Sequence, residues 1–200
     1  MSFSVRLRAA AVALAAAAAL PAQAVRYEGQ DFADTLPLGG STLVLNGVGK
    51  RQVAIYPMYL AALYLPAKAG TPQAIYGQVG PKRLELRIVI PLVKDVSTQE
   101  FVKAINKGVN RNSTEAEKAA VAERVAQFNA AIAEVGRVKK GDLLVIDYLP
   151  AQGGTVLTVN GKTWGSPIPG QDFYSAFLKV FLGDRNSDAH LRAALLGQPG

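Results

Sequence analysis

His190 is the only imidazole in the 200 residues, and the chain has no cysteine. A Ser-His-Asp relay would have to run through that one side chain, and no Gly-x-Ser-x-Gly turn offers a nucleophile. One histidine without thiolates also leaves no conventional zinc or copper site. No EF-hand loop is visible for calcium. His190 therefore reads as an exposed residue of the last helix, and neither a metal nor a cofactor is expected. Gly47-Val48-Gly49 lacks the third glycine and the following helix of a dinucleotide-binding turn, and no Walker loop occurs. What remains is a pair of segments, Leu45-Asn46-Gly47-Val48-Gly49-Lys50-Arg51 and Tyr59-Leu60-Ala61-Ala62-Leu63-Tyr64-Leu65. A guanidinium ends the first and a phenol begins the second.

The elements that position them follow a leader. Arg6 and Arg8 precede an apolar run of 12 residues, Ala9 to Leu20, which ends in Pro21-Ala22-Gln23-Ala24. The run falls short of the roughly 20 residues that cross a bilayer. The small residues Ala22 and Ala24 fit a signal-peptidase site. Residues 1–24 are expected to be a signal peptide, cleaved near Ala24, leaving 25–200 as one domain in the periplasm or secreted. Without cysteine, such a domain is held by packing and hydrogen bonds alone. The net charge of +7 drops to +5 on loss of Arg6 and Arg8. The basic residues are scattered, as at Lys82-Arg83, Lys103, Lys107, Arg111 and Lys139-Lys140, and many alternate with acids. They form no nucleic-acid motif, so no nucleic acid is expected as a partner. Weak attraction to an anionic membrane surface or an acidic ligand is the most this charge implies.

Leu43 to Leu45 and Val53 to Leu65 read as strands, broken by a glycine turn at Asn46 to Gly49. Pro57 points to an edge or bulge. Thr71-Pro72 opens a short helix to Gly77. Leu84 to Leu92 alternates and then turns fully apolar, as a strand entering the core does. Two helices follow, with capping boxes at Ser97/Glu100 and Thr114/Glu117. Val121, Val125, Phe128, Ile132 and Val135 put one apolar stripe on the second, and Gly136 stops it. Leu143 to Leu149 and Thr155 to Val159 are strands, and Asn160-Gly161 is a hairpin turn into Lys162 to Trp164. Trp164 reads as a packing anchor for the C-terminal helices. Those helices lie near Asp172 to Leu182 and Asp188 to Leu196, each followed by glycine. This order predicts an α+β fold with an antiparallel sheet and helices on one face.

The two segments singled out above resemble the chalcone isomerase-like family. There a Gly-x-Gly-x-Arg turn leads into a hairpin whose next strand ends small-apolar-Tyr-Leu. Trp164-Gly165-Ser166-Pro167-Ile168-Pro169-Gly170-Gln171-Asp172-Phe173, Phe181-Leu182-Gly183 and Leu191-Arg192-Ala193-Ala194-Leu195-Leu196-Gly197 are similar to the C-terminal pattern of its exported bacterial members. The resemblance spans Phe32 to Gly197. It implies an open-faced β-sandwich, a large antiparallel sheet with a helical layer on one face and a ligand cleft between.

By the same resemblance Arg51 takes the position of the family's arginine, and Tyr59 stands where the chalcone isomerases carry threonine. The helix tyrosine and asparagine of those enzymes fall near Phe101 and Gly108, and a later hydroxyl falls near Val180. Several donors that would stabilise an enolate are thus absent, and each such donor is worth about 100- to 1,000-fold in rate. An Arg-Tyr pair is instead the pattern of the family's fatty-acid-binding branch. A guanidinium fork matches two carboxylate oxygens, and a phenol adds a third donor. The expected function is non-catalytic binding of a fatty acid or another carboxylate-bearing apolar ligand. The ligand-binding residues would be Arg51, Tyr59, Leu63, Phe101, Ile105, Phe177 and Val180. Leu60 and Phe181 are further candidates for the wall. Two alternatives stand beside this. One is an isomerase, an intramolecular lyase acting on a small enone or aromatic substrate through Arg51 and Tyr59. The other is an interaction protein with a vestigial cleft.

Overall fold

The computed structural model describes residues 23–90, 96–186 and 188–198. The expected signal peptide lies outside them except for its last two residues, and so does Leu92. A hairpin of β1 (Ala24–Tyr27) and β2 (Gln30–Ala33) comes first. The main sheet is built from β3 (Thr35–Leu38), β4 (Ser41–Val53), β5 (Tyr56–Leu65) and β6 (Lys82–Ile88), continued by β9 (Leu143–Leu149), β10 (Gly154–Val159) and β11 (Lys162–Ile168). Its order is β11-β10-β9-β6-β5-β4-β3, antiparallel at every step. Between β5 and β6 lies α1 (Pro72–Gly77), capped by the Thr71 hydroxyl as its sequence predicts. The two-residue strands β7 (Val96–Ser97) and β8 (Arg137–Val138) pair with each other and enclose α2 (Gln99–Asn112) and α3 (Glu115–Val135). The chain closes with α4 (Gln171–Leu182) and α5 (Ala189–Leu195).

Side-chain alternation divides the sheet into two unlike faces. On β5, Ala61, Leu63 and Leu65 turn to the helices, while Leu60, Ala62 and Tyr64 turn to the other side. That explains why Leu60 to Leu65 is apolar at every position: the β1–β2 hairpin brings Phe32 onto the second face. Further along, the second face becomes polar. Arg83 donates to both carboxylate oxygens of Asp147 across the sheet at 2.7 Å, and Arg87 pairs with Glu85 at 2.6 Å. The Arg87 guanidinium lies 3.9 Å from the Phe32 ring centre. Among the described residues, helices therefore cover one face only.

Local signals in the middle of the chain behave as their chemistry dictates. Thr114 and Glu117 form the reciprocal capping box of α3, and Gly136 ends that helix at φ 78°. Val121, Phe128 and Ile132 are buried in the core, with Val125 and Val135 at its margin. Asn160 and Gly161, at φ 50° and 81°, turn β10 into β11.

Three expectations are corrected. The Ser97/Glu100 capping box does not form, because Ser97 is held in the β7–β8 pairing and α2 begins at Gln99, with Thr98 at its cap. Glu100 pairs instead with Lys103 at 2.7 Å. Trp164 lies on β11, which packs against α3 rather than the C-terminal helices. The glycine segment is not a turn. β4 runs unbroken through Asn46–Gly49, and the hairpin reverses at Ala54–Ile55.

The glycines serve packing. Asn46 is the extra residue of a bulge, since Leu45 pairs with Tyr64 and Gly47 with Leu63. The bulge moves Gly47, Gly49 and Arg51 onto the helix-facing side. A Cβ on Gly47 would lie 1.9 Å from the Ala194 carbonyl oxygen, and one on Gly49 would lie 2.7 Å from Ala194 Cβ. α5 therefore lies directly on the β4 backbone. Asn46 fastens it, donating to the Leu195 carbonyl at 2.7 Å while its own oxygen accepts from Ala69 N–H at 2.7 Å.

Candidate functional site

Arg51 and Tyr59 are direct cross-strand partners on the face that the helices cover. The second bulge of the hairpin, at Met58 beside Pro57, sets this register: Arg51 pairs with Tyr59, then Gln52 with Pro57. Period two along β4 places Arg51 beyond Gly49, at the N-terminal end of α5, whose body lies over Gly47 and Gly49. A cleft of about 430 Å³ opens there, between the sheet and α2 and α4. This size is within the range of small-molecule sites.

Six of the seven expected site residues line it: Arg51, Tyr59, Phe101, Ile105, Phe177 and Val180. Phe101 and Ile105 are one turn apart on α2. Phe177 and Phe181 are one turn apart on α4, with ring centres 5.5 Å apart, and Phe128 of α3 packs edge-on behind Phe177 at 5.2 Å. Leu86 and Ile146 contribute from the sheet. Among the described residues the wall is apolar apart from Arg51, Tyr59 and Glu100.

Leu63 is the exception. It is fully buried beneath the helices, alongside Gly47, and does not reach the cleft. Leu60, the further wall candidate, faces the opposite side of the sheet with Phe32. Both follow from alternation combined with the bulges, which decide how far along the strand the helices leave room.

The electrostatics centre on an acid the sequence reading did not assign. Asp188 caps α5, its Oδ1 accepting from Leu191 N–H at 2.9 Å, and its Oδ2 accepts from Arg51 Nη1 at 3.0 Å. The side chains are 25% and 12% exposed, so the pair is half-buried at the cleft mouth. One carboxylate holds the guanidinium in place, and the fork has further N–H donors. The only sequence signal for Asp188 was its place as a helix cap.

The Tyr59 hydroxyl has no hydrogen-bond partner among the described residues, and its ring lies 6.3 Å from that of Phe101. Burial pushes its pKa from 10.0 up to about 12, against the pull of Arg51 and with the help of Asp188. At neutral pH it is a donor. Because the folded pKa lies above the unfolded one, the contribution is intact below pH 10 and is lost as pH rises through about 12. Tyr59→Phe is accordingly expected to lose less stability than the wild type between pH 10 and pH 12 in urea titrations. An identical decline in both proteins would show that this phenol is not shielded.

The residues that the resemblance sets near the isomerases' donors, Phe101, Gly108 and Val180, offer no hydroxyl or amide side chain. Phe101 and Val180 are hydrocarbon, and Gly108 is where α2 meets α4, with room for no Cβ beside Val180. Asn106 accepts from Asn129 at 2.8 Å, away from the cleft. Asn110 is exposed and lines neither cavity containing Arg51. His190 is exposed on α5.

A curled antiparallel sheet of seven strands, with helices on one face and an apolar cleft between the layers, is an open-faced β-sandwich. The model of the chalcone isomerase-like family matches residues 24–197, and the chain belongs to that family. Among solved structures it is similar to a fatty-acid-binding protein of Arabidopsis thaliana, with a TM-score of 0.63 at 14% identity over 87% of this chain and 96% of that one. At that identity the likeness establishes the fold. No curated protein matches the chain in sequence.

Proposed function

We propose that the protein is a non-catalytic binder of a fatty acid or similar apolar carboxylate, acting in the periplasm or outside the cell after loss of its leader. The observation that carries this reading is the pairing of Arg51 with Tyr59 at the mouth of an apolar cleft of about 430 Å³. The carboxylate would take free donors of the Arg51 fork and the protonated Tyr59 hydroxyl, and the chain would lie among Phe101, Ile105 and Phe177. The open volume favours this over a vestigial cleft. The missing donors near Phe101, Gly108 and Val180 favour it over isomerase chemistry. The fatty-acid-binding protein of the same fold is consistent with it.

The test is thermal unfolding in the presence of oleate. A ligand that binds only the native state at 100 times its Kd adds about 2.7 kcal/mol. For a domain of this size that raises Tm by roughly 5–10 °C. Methyl oleate, with the same chain and no carboxylate, should give a much smaller rise. Equal shifts for the acid and its ester would remove the role of Arg51 and Tyr59. No shift with any fatty acid would defeat the proposal.

A further inference from the structure

Arg51 borders two concavities. Besides the apolar cleft, a groove of about 280 Å³ runs from it along α2 to the connection between α4 and α5. Lys103, Lys107 and Arg111 line the groove from α2, and Arg185 lines it from the connection. The three on α2 are spaced i, i+4, i+8, so they share one face, where like charges disfavour the helix. Two of the groove's cations are matched: Lys103 by Glu100 at 2.7 Å, and Arg51 by Asp188 at 3.0 Å. Among the described residues, the side chains of Lys107, Arg111 and Arg185 have no carboxylate partner. Among the described residues, five cations against two carboxylates leave a local charge of +3.

A monocarboxylate at Arg51 would leave two of those three charges uncompensated, and it would have no atoms to place in the groove. A phosphate monoester carries about −1.5 to −2 at pH 7 with three acceptor oxygens. We infer that the site takes, besides a free fatty acid, a single-chain acyl lipid with a phosphorylated headgroup, its chain in the apolar cleft and its phosphate in the groove lined by Lys107, Arg111 and Arg185. Arg51 and Tyr59 stand at the junction and would hold the ester or carboxyl end of the chain. The inference rests on the reading of the cleft as a chain-binding site.

Calorimetric titration with four probes tests it: oleate, 1-oleoylglycerol 3-phosphate, 1-oleoylglycerol and glycerol 3-phosphate. The lipid phosphate should bind about 10-fold tighter than oleate or better, as charge-assisted hydrogen bonds are added. The variant Lys107→Gln/Arg111→Gln/Arg185→Gln should lose that advantage, with oleate affinity changed by less than about threefold, since exposed charges away from the carboxylate count for little. These side chains are not core residues, and an unchanged melting curve without ligand would show that the variant is folded. If oleate binds but the lipid phosphate gains nothing, or the triple variant weakens both equally, the groove is not a headgroup site and the chain-binding reading stands alone. If glycerol 3-phosphate binds as tightly as its oleoyl ester, the groove is a free-anion site and the lipid assignment is wrong. If no probe carrying the oleoyl chain binds, both readings fail together.

Discussion

Replacing Arg51 by alanine is expected to weaken oleate binding by roughly 30- to 100-fold. Losing one side of a hydrogen-bonded charge pair in a partly enclosed site costs about 2–3 kcal/mol at the lower end of measured cases, and 1.4 kcal/mol is a factor of ten. The lower end applies because the Arg51 side chain is 25% exposed. A second effect acts in the same direction. Asp188 would keep its cap on α5 through Leu191 N–H but would then present an unmatched carboxylate to the cleft mouth. That charge would repel an incoming carboxylate. The double variant Arg51→Ala/Asp188→Asn should therefore recover part of the lost affinity. Arg51→Lys should recover less than its charge suggests, because an ammonium cannot serve Asp188 and a ligand as a planar fork. Calorimetry on the four proteins gives the result directly. Undiminished binding by Arg51→Ala would show that the guanidinium serves only to hold Asp188 and α5.

Gly47→Ala is expected to be the most destabilising single-methyl change at this site. The new Cβ would lie 1.9 Å from the Ala194 carbonyl oxygen, 3.0 Å from its carbonyl carbon and 3.1 Å from Gly197 N. All three are backbone atoms, so no rotamer change relieves the clash, and α5 must move off the sheet. Overpacking in cores costs about 1–3 kcal/mol and occasionally more, and this case should reach about 3 kcal/mol in urea unfolding. The loss would extend to function, because α5 carries Asp188 and Asp188 positions Arg51. Gly49→Ala should cost less, since one of its two close contacts is the flexible end of Leu191 at 3.0 Å. Gly77→Ala is the control. No atom lies within 4 Å of a Cβ there, and the backbone is not left-handed. If Gly47→Ala unfolds at the same urea concentration as Gly77→Ala, α5 does not rest on β4 as described.

The local elements were legible where short-range sterics and hydrogen bonding decide them. The stripe on α3, its capping box at Thr114 and Glu117, the Thr71 cap of α1 and the Asn160-Gly161 turn are settled within three or four residues. Ser97 shows how narrow that window is. It has the capping composition, yet pairing with a strand about 40 residues later keeps it extended and passes the cap position to Thr98.

The amino-acid sequence alone determined that a helix-covered antiparallel sheet would form, because apolar period, caps and turn residues act along the chain, while the pairing of Arg51 with Tyr59 was expected from the family resemblance. Tertiary packing decided the remainder. It made the glycines a seat for α5 instead of a turn, drew Asp188 onto Arg51 across 137 residues, and left Leu63 beneath the helices. It also gathered Arg185 with the basic stripe of α2 in one groove. The physical reason is that a single bulge at Asn46 changes which side of β4 faces inward, and no periodicity in the sequence records where two distant backbones come into contact.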